Sequence, residues 1–131
     1  MRVKRCMAVN LIPEKKKIVM GICDAIGLDY MDIEPWQYEI RVGRLCDNVD
    51  MTGGPDIGAS EDTAGKINMD MLIFDGISSK ELDIFLDRYK TSGLPAVQLK
   101  SVVTTTNREW TVWKLYTELA REYLIYKMRG M

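Results

Sequence analysis

Residues 71–94 read MLIFDGISSKELDIFLDRYKTSGL, and the order of residue types in this stretch decides the fold. Residues 69–74 are apolar except at Asp70, the mark of a strand covered on both faces of a sheet. Ser78 and Glu81 then have the S-x-x-E spacing of a capping box, which predicts a helix start. Leu82, Phe85, Leu86 and Tyr89 recur at helical spacing and are expected to face inward. Gly93 ends the helix and Pro95 prevents its resumption. In residues 96–103, Val97 and Leu99 alternate with the polar Gln98, as in an edge strand. The stretch therefore predicts a β-α-β unit.

The first half has the same layout. An apolar strand over residues 3–11 is centred on Cys6, Met7, Ala8 and Val9. Pro13 suits the first helical position, with Glu14 near the positive helix end. Ile18, Val19, Ile22, Cys23 and Ile26 form the inner stripe, and Gly27 is the stop. Residues 29–34 alternate, with Met31 and Ile33 opposite Asp32 and Glu34. Residues 35–46 are expected to form a shorter helix with Trp36, Ile40 and Leu45 inward. Ile12 matches Ile77, Lys15 matches Lys80, and Gly27-Leu28 matches Gly93-Leu94. The expected fold is α/β (α+β): a four-stranded ferredoxin-like sheet from two pseudo-repeated β-α-β-α halves, with an extra helix after each half. Strands one and three, apolar on both faces, belong at the centre. The whole is expected to be a single domain, with halves 1–46 and 67–131 joined by a flexible Gly-rich linker, 47–66.

The chain has 131 residues, of which 47% are hydrophobic and 28% charged, so it is long and apolar enough to bury a core. A net charge of −1 gives no global pull toward nucleic acid or an anionic membrane. No apolar run reaches the length of a membrane span, and no signal peptide is read at the start. Cys6, Cys23 and Cys46 are odd in number and unclustered, which argues against a disulfide framework or zinc site. Histidine is absent, and with it every Ser-His or Cys-His catalytic arrangement. Gly65-Lys66 is no phosphate-binding loop, because Ser60 and Ile67 stand where that motif needs glycine and a magnesium-binding hydroxyl.

Polar residues of unusual type gather in residues 100–113, KSVVTTTNREWTVW, between the last strand and a last helix expected to begin near Thr106. Lys100, Thr104, Thr106, Asn107 and Trp110 are the candidate ligand-binding residues. A helix N-terminus favours anions, Lys100 would balance their charge, hydroxyls and the Asn107 amide would orient them, and Trp110 would form a wall. The competing account is structural. Thr106 and Glu109 have capping-box spacing, Asn107 would satisfy loop backbone, Trp110 and Trp113 would anchor the helix, and Lys100 would guard an edge strand. Val112, Leu115, Tyr116, Leu119, Tyr123 and Leu124 give the last helix its apolar face. Lys15, Lys16 and Lys17 read as a solvated helix face, and the pairs Asp70/Asp75 and Asp32/Glu34 lack metal-ligand spacing. Phe74 is the one aromatic on a central strand that could meet a base.

The segment MLIFDGISSKELDIFLDRYKTSGL, followed by KSVVTTTNREWTVWKLYTEL, resembles the DUF3783 family, a bacterial domain of unknown function. The likeness lies in Lys100, Val102, Thr104, Thr106, Asn107 and Trp110 and in the Leu-x-x-Glu-Leu that follows. It covers residues 71–122; the first half matches only in layout. The resemblance implies a bacterial cytoplasmic protein and names no activity, cofactor or partner. The expected function is a non-catalytic cytoplasmic interaction or regulatory module, self-associating or with a protein partner, without cofactor, metal, nucleic acid or membrane. The alternative is a small-ligand or anion-binding domain using residues 100–110, and an enzyme on the same residues comes last.

Overall fold

A computed structural model of the chain describes residues 4–46 and 67–129, with side chains through Lys127; the expected linker at 47–66 lies outside them. The element order is β1 (Arg5–Val9), α1 (Pro13–Ile26), β2 (Asp29–Ile33), α2 (Val42–Cys46), β3 (Met71–Asp75), α3 (Ser79–Lys90), β4 (Leu99–Val102) and α4 (Val112–Arg129). The four strands form one sheet in the order β2-β1-β3-β4. β1 and β3 are buried at every position, and that double burial is why Cys6–Val9 and Met71–Phe74 are apolar throughout. The alternating strands β2 and β4 are the edges, as their patterns predict.

β1 pairs parallel with β2, β3 parallel with β4, and the two central strands run antiparallel with Met7 opposite Ile73. Each β-α-β unit is thus closed on adjacent strands, where a ferredoxin-like sheet splits them with a strand of the other unit. The sheet is the middle of three layers. On one face α1 and α3 lie together over Cys6, Ala8, Leu72 and Phe74, with Phe85 edge-to-face on Phe74 at 5.0 Å between ring centres. On the other, α2 and α4 cover Met7, Val9, Met71, Ile73 and Leu99. No helix of the described residues is long and apolar enough to cross a membrane.

The halves are related residue by residue. One constant offset takes Asn10 to Gly76, Pro13 to Ser79 and Gly27 to Gly93, and all three of Asn10, Gly76 and Gly27 as well as Gly93 have positive φ. The sequence pairing of Ile12 with Ile77 and Lys15 with Lys80 is therefore one residue out of step: Ile12 and Ser78 are the equivalent N-caps, and Lys15 corresponds to Glu81. Four extra residues around Pro95 shift the offset after Gly93, so that Arg41 then corresponds to Thr111. These two residues form an antiparallel bridge between the halves. Val42 donates its N–H to the Trp110 carbonyl at 2.8 Å, and Val112 donates to the Ile40 carbonyl at 3.0 Å.

That bridge explains two departures from the sequence reading. Residues 35–46 are not one helix but a 3₁₀ turn at Pro35–Gln37, the bridge, and the short α2. The last helix starts at Val112 rather than Thr106, after a 3₁₀ turn at Asn107–Glu109. In both places the backbone bonds across the halves in preference to within a helix. Trp36, off the core in its turn, is 40% exposed rather than inward, while Ile40 and Leu45 are buried. Leu124, expected on the apolar face of α4, is 52% exposed beyond the layer that Val112, Leu115 and Tyr116 fill.

Candidate functional site

Alternation along β4 separates the candidate residues. Lys100 lies opposite Leu72 in the register, on the α1/α3 face, and Ser101 lies opposite Ile73, on the other. Asn107 joins the Ser101 side, donating from Nδ2 to the Val102 carbonyl at 3.0 Å and to Ser101 Oγ at 3.4 Å. Its Oδ1 accepts from the Thr104 N–H at 2.8 Å, and its own N–H donates to Thr104 Oγ1 at 3.0 Å. Asn107 is buried, and every polar atom of its side chain is engaged in this turn. Thr106 makes no side-chain cap bond; the reciprocal pair that closes the turn is Thr104–Asn107 in place of the expected Thr106–Glu109. Gln37 and Glu34 make the same reciprocal pair at the equivalent turn of the first half. Trp110 packs against the α2/α4 core, with the Lys114 ammonium 5.1 Å from its ring centre. Thr104, Asn107 and Ser101 are thus brought together, and Lys100 faces the opposite side of the sheet.

Lys100 belongs instead to a groove between α3 and the β4 edge that the sequence reading missed. One cavity of about 150 Å³ is lined by Phe74, Leu82, Leu86, Lys100, Ser101 and Val102. A second, of about 310 Å³, shares Leu86 and Lys100 and continues past Tyr89, Lys90 and Leu94. Leu82 and Leu86, expected inward, are half-buried because the sheet ends at β4 and gives them no further strand to cover them. The Lys100 ammonium donates to the Val97 carbonyl at 3.0 Å. Neither it nor Lys90 forms an ion pair among the described residues.

Backbone polarity adds to the groove. Leu99 donates its N–H to the Asp70 carbonyl and Val103 to the Phe74 carbonyl. Because successive residues of a strand point their backbone groups to opposite sides, the Lys100 N–H and C=O and the Val102 N–H point outward from the sheet. The Val102 carbonyl is taken by Asn107. At the equivalent place on β2 the edge is filled by charge. Lys16 and Asp32 form an ion pair at 2.5 Å where the second half has Leu82 and Val102. The Tyr30 hydroxyl donates to the same Asp32 at 2.6 Å, and burial followed by that carboxylate holds the phenol above its usual range. Beside β2 this position is therefore filled by an ion pair, and beside β4, next to Lys100, it is apolar and open.

Several other residues that the sequence singles out have structural partners. Lys15 is not solvated: its ammonium is buried, 2.6 Å from Asp70 and 3.2 Å from the Ala96 carbonyl, and Asp70 also accepts the Gln98 N–H at 2.7 Å. Asp75 lies at the far end of β3 from Asp70, beside Cys46, whose thiol is pushed up to about 12 by burial and then by that carboxylate. Arg5 caps α2 by donating to the Leu45 and Cys46 carbonyls, each at 2.9 Å. Cys6 and Cys23 are buried and free, with their thiols in contact. Phe74 is fully buried.

No curated protein and no solved structure matches the chain. The groove, the Thr104–Asn107 turn and α4 through Ile125 all fall within one segment, and that segment, residues 70–125, matches the model of the DUF3783 family, a domain of unknown function.

Proposed function

We propose that the chain is a non-catalytic interaction module whose docking surface is the β4 edge together with α3. The observation that carries this reading is the contrast between the two sheet edges. Exposed strand edges are a hazard that proteins blunt with charge, and beside β2 the pairing of Asp32 with Lys16 of α1 supplies it. On β4 the corresponding positions are apolar, and the outward backbone groups lie beside a trough of Leu82 and Leu86. An edge left open beside an apolar groove suits recognition through strand addition. The resemblance to a bacterial family and the three free cysteines support a bacterial, cytoplasmic setting.

A photo-crosslinking amino acid at Ala96 or Lys90 tests the surface in a lysate of the host. The reading requires crosslinked partners that disappear on Leu86→Asp, with the melting temperature of the variant near that of the parent. Crosslinks of equal yield from a control position on β2, or yields indifferent to Leu86→Asp, would remove it.

The second reading is anion binding, favoured by one observation: among the described residues, the Lys100 ammonium has only the Val97 carbonyl as a partner. Saturable thermal stabilisation by phosphate, sulfate or a carboxylate, lost in Lys100→Ala, is its signature, because a ligand at a hundred times its dissociation constant adds about 2.7 kcal/mol.

A further inference from the structure

Resting on the interaction reading, we infer that the groove takes an extended acidic polypeptide that adds a strand to β4, carrying an apolar residue and a carboxylate two positions apart. The length of the open edge sets the pairing: the Lys100 N–H and C=O and the Val102 N–H offer one full rung and half of the next. The 150 Å³ cavity beside Val102 sets the apolar residue, since an apolar space of that size holds a group as large as benzene. The second cavity sets the charge. It shares Leu86 and Lys100 with the first, adds Lys90, and among the described residues has no acidic side chain in its lining. In an extended peptide, side chains two positions apart stand on the same face, about 6–7 Å from each other. A residue seated against Leu82 and Leu86 therefore leaves its neighbour two positions away over Lys100 and Lys90. A second copy of this chain fits less well. Antiparallel pairing of β4 with β4 about Ser101 puts two Lys100 side chains on one face as diagonal neighbours, and like charges so placed repel.

The test is fluorescence anisotropy with a blocked, labelled peptide, Ser-Thr-Leu-Thr-Glu-Thr-Ser, and its Leu-to-Ser and Glu-to-Lys forms. The parent peptide should bind saturably, and each change should weaken binding by roughly tenfold or more, the ratio that corresponds to about 1.4 kcal/mol. Lys100→Glu should invert the preference toward the lysine peptide. Val102→Pro should abolish binding while leaving the melt near the parent, because it removes a donor that points away from β3, and edge strands tolerate proline. Binding that ignores both Lys100→Glu and Val102→Pro overturns the inference. So does the absence of saturable binding to any of the three peptides by the folded parent. Sedimentation velocity separates that failure from failure of the interaction reading. A dimer dissociated by Val102→Pro, with no peptide bound, keeps the docking surface and replaces the peptide by a second copy. A monomer without peptide binding and without groove-specific crosslinks overturns both.

Discussion

Lys15 and Glu81 occupy the same position in the two halves with opposite charge, and each holds its counterpart from the other half at 2.6 Å: Asp70 for Lys15, Lys4 for Glu81. Asp70 and Lys4 are themselves equivalent positions, so the ion pair is duplicated with its polarity reversed. The copies differ in burial. The Lys15 and Asp70 side chains are 10% and 8% exposed, those of Lys4 and Glu81 45% and 22%.

Burial makes the first copy costly to break. Lys15→Ala should destabilise the fold by about 3–5 kcal/mol, because it leaves the Asp70 carboxylate buried without its ammonium. Lys15→Met with Asp70→Asn should recover most of that loss, since the amide oxygen still accepts from Gln98 and no charge remains. Urea midpoints of the single and double variants measure the difference.

The second copy is expected to act through pH. The Lys4 ammonium, and then the Ser78 backbone and side chain, lower the Glu81 carboxyl from its usual 4.5 to about 2. A carboxyl depressed on folding contributes stability that is present above its unfolded value and lost as pH falls through the folded one. The window for this pair is therefore pH 4.5 down to about 2. Carbon NMR titration of the Glu81 carboxyl should show the low midpoint, and Lys4→Ala should raise it. High salt should raise it too, because the pair is half-exposed.

Asn107→Ala should cost about 1–3 kcal/mol, as it strips a buried turn of side-chain partners for the Thr104 N–H and the Val102 carbonyl. Thr104→Ala removes the returning acceptor and should cost about 0.5–2 kcal/mol, the range of a lost cap. Thr106→Ala should leave the denaturation midpoint unchanged, since the Thr106 side chain makes no cap bond.

Gly43→Ala sets two effects against each other. Alanine inside a helix normally gains about 1 kcal/mol over glycine. Here the added Cβ would sit 2.9 Å from the Arg108 backbone oxygen and 2.9 Å from its Nε. A backbone oxygen cannot move aside as a flexible side chain can, and overpacking costs about 1–3 kcal/mol. Net destabilisation is expected in thermal melts, and a higher melting temperature would show that the Asn107–Glu109 turn yields.

Much of this fold is written locally. Met71–Phe74 is apolar at every position because both faces of β3 are covered, and Pro13, Ser78, Gly27 and Gly93 mark helix ends through their own backbone chemistry. What the sequence hid has a partner far along the chain. Lys15 looks solvated until Asp70 is beside it, and residues 40–42 look helical until residues 110–112 claim their backbone groups. The candidate site divides in the same way. The turn of Thr104 and Asn107 follows from residue type and spacing. That Lys100 faces away from it follows from the strand period of two, once Ser101, opposite Ile73, is seen to join the turn. Leu82 and Leu86 have the spacing of core residues, and only the position of β4 at the end of the sheet makes them a groove.

The antiparallel seam between β1 and β3 is also the seam between the two repeats, and so is the Arg41–Thr111 bridge. The contacts that join the halves are those of a two-fold dimer, with the difference that one polypeptide supplies both members. Joining the members frees each to change alone. The reversed ion pair and the unlike sheet edges are changes a true homodimer could not make, because every substitution there would appear twice. A chain bearing only the β3-α3-β4-α4 unit would carry the apolar run Met71–Phe74 on a bare edge and would need another copy to cover it.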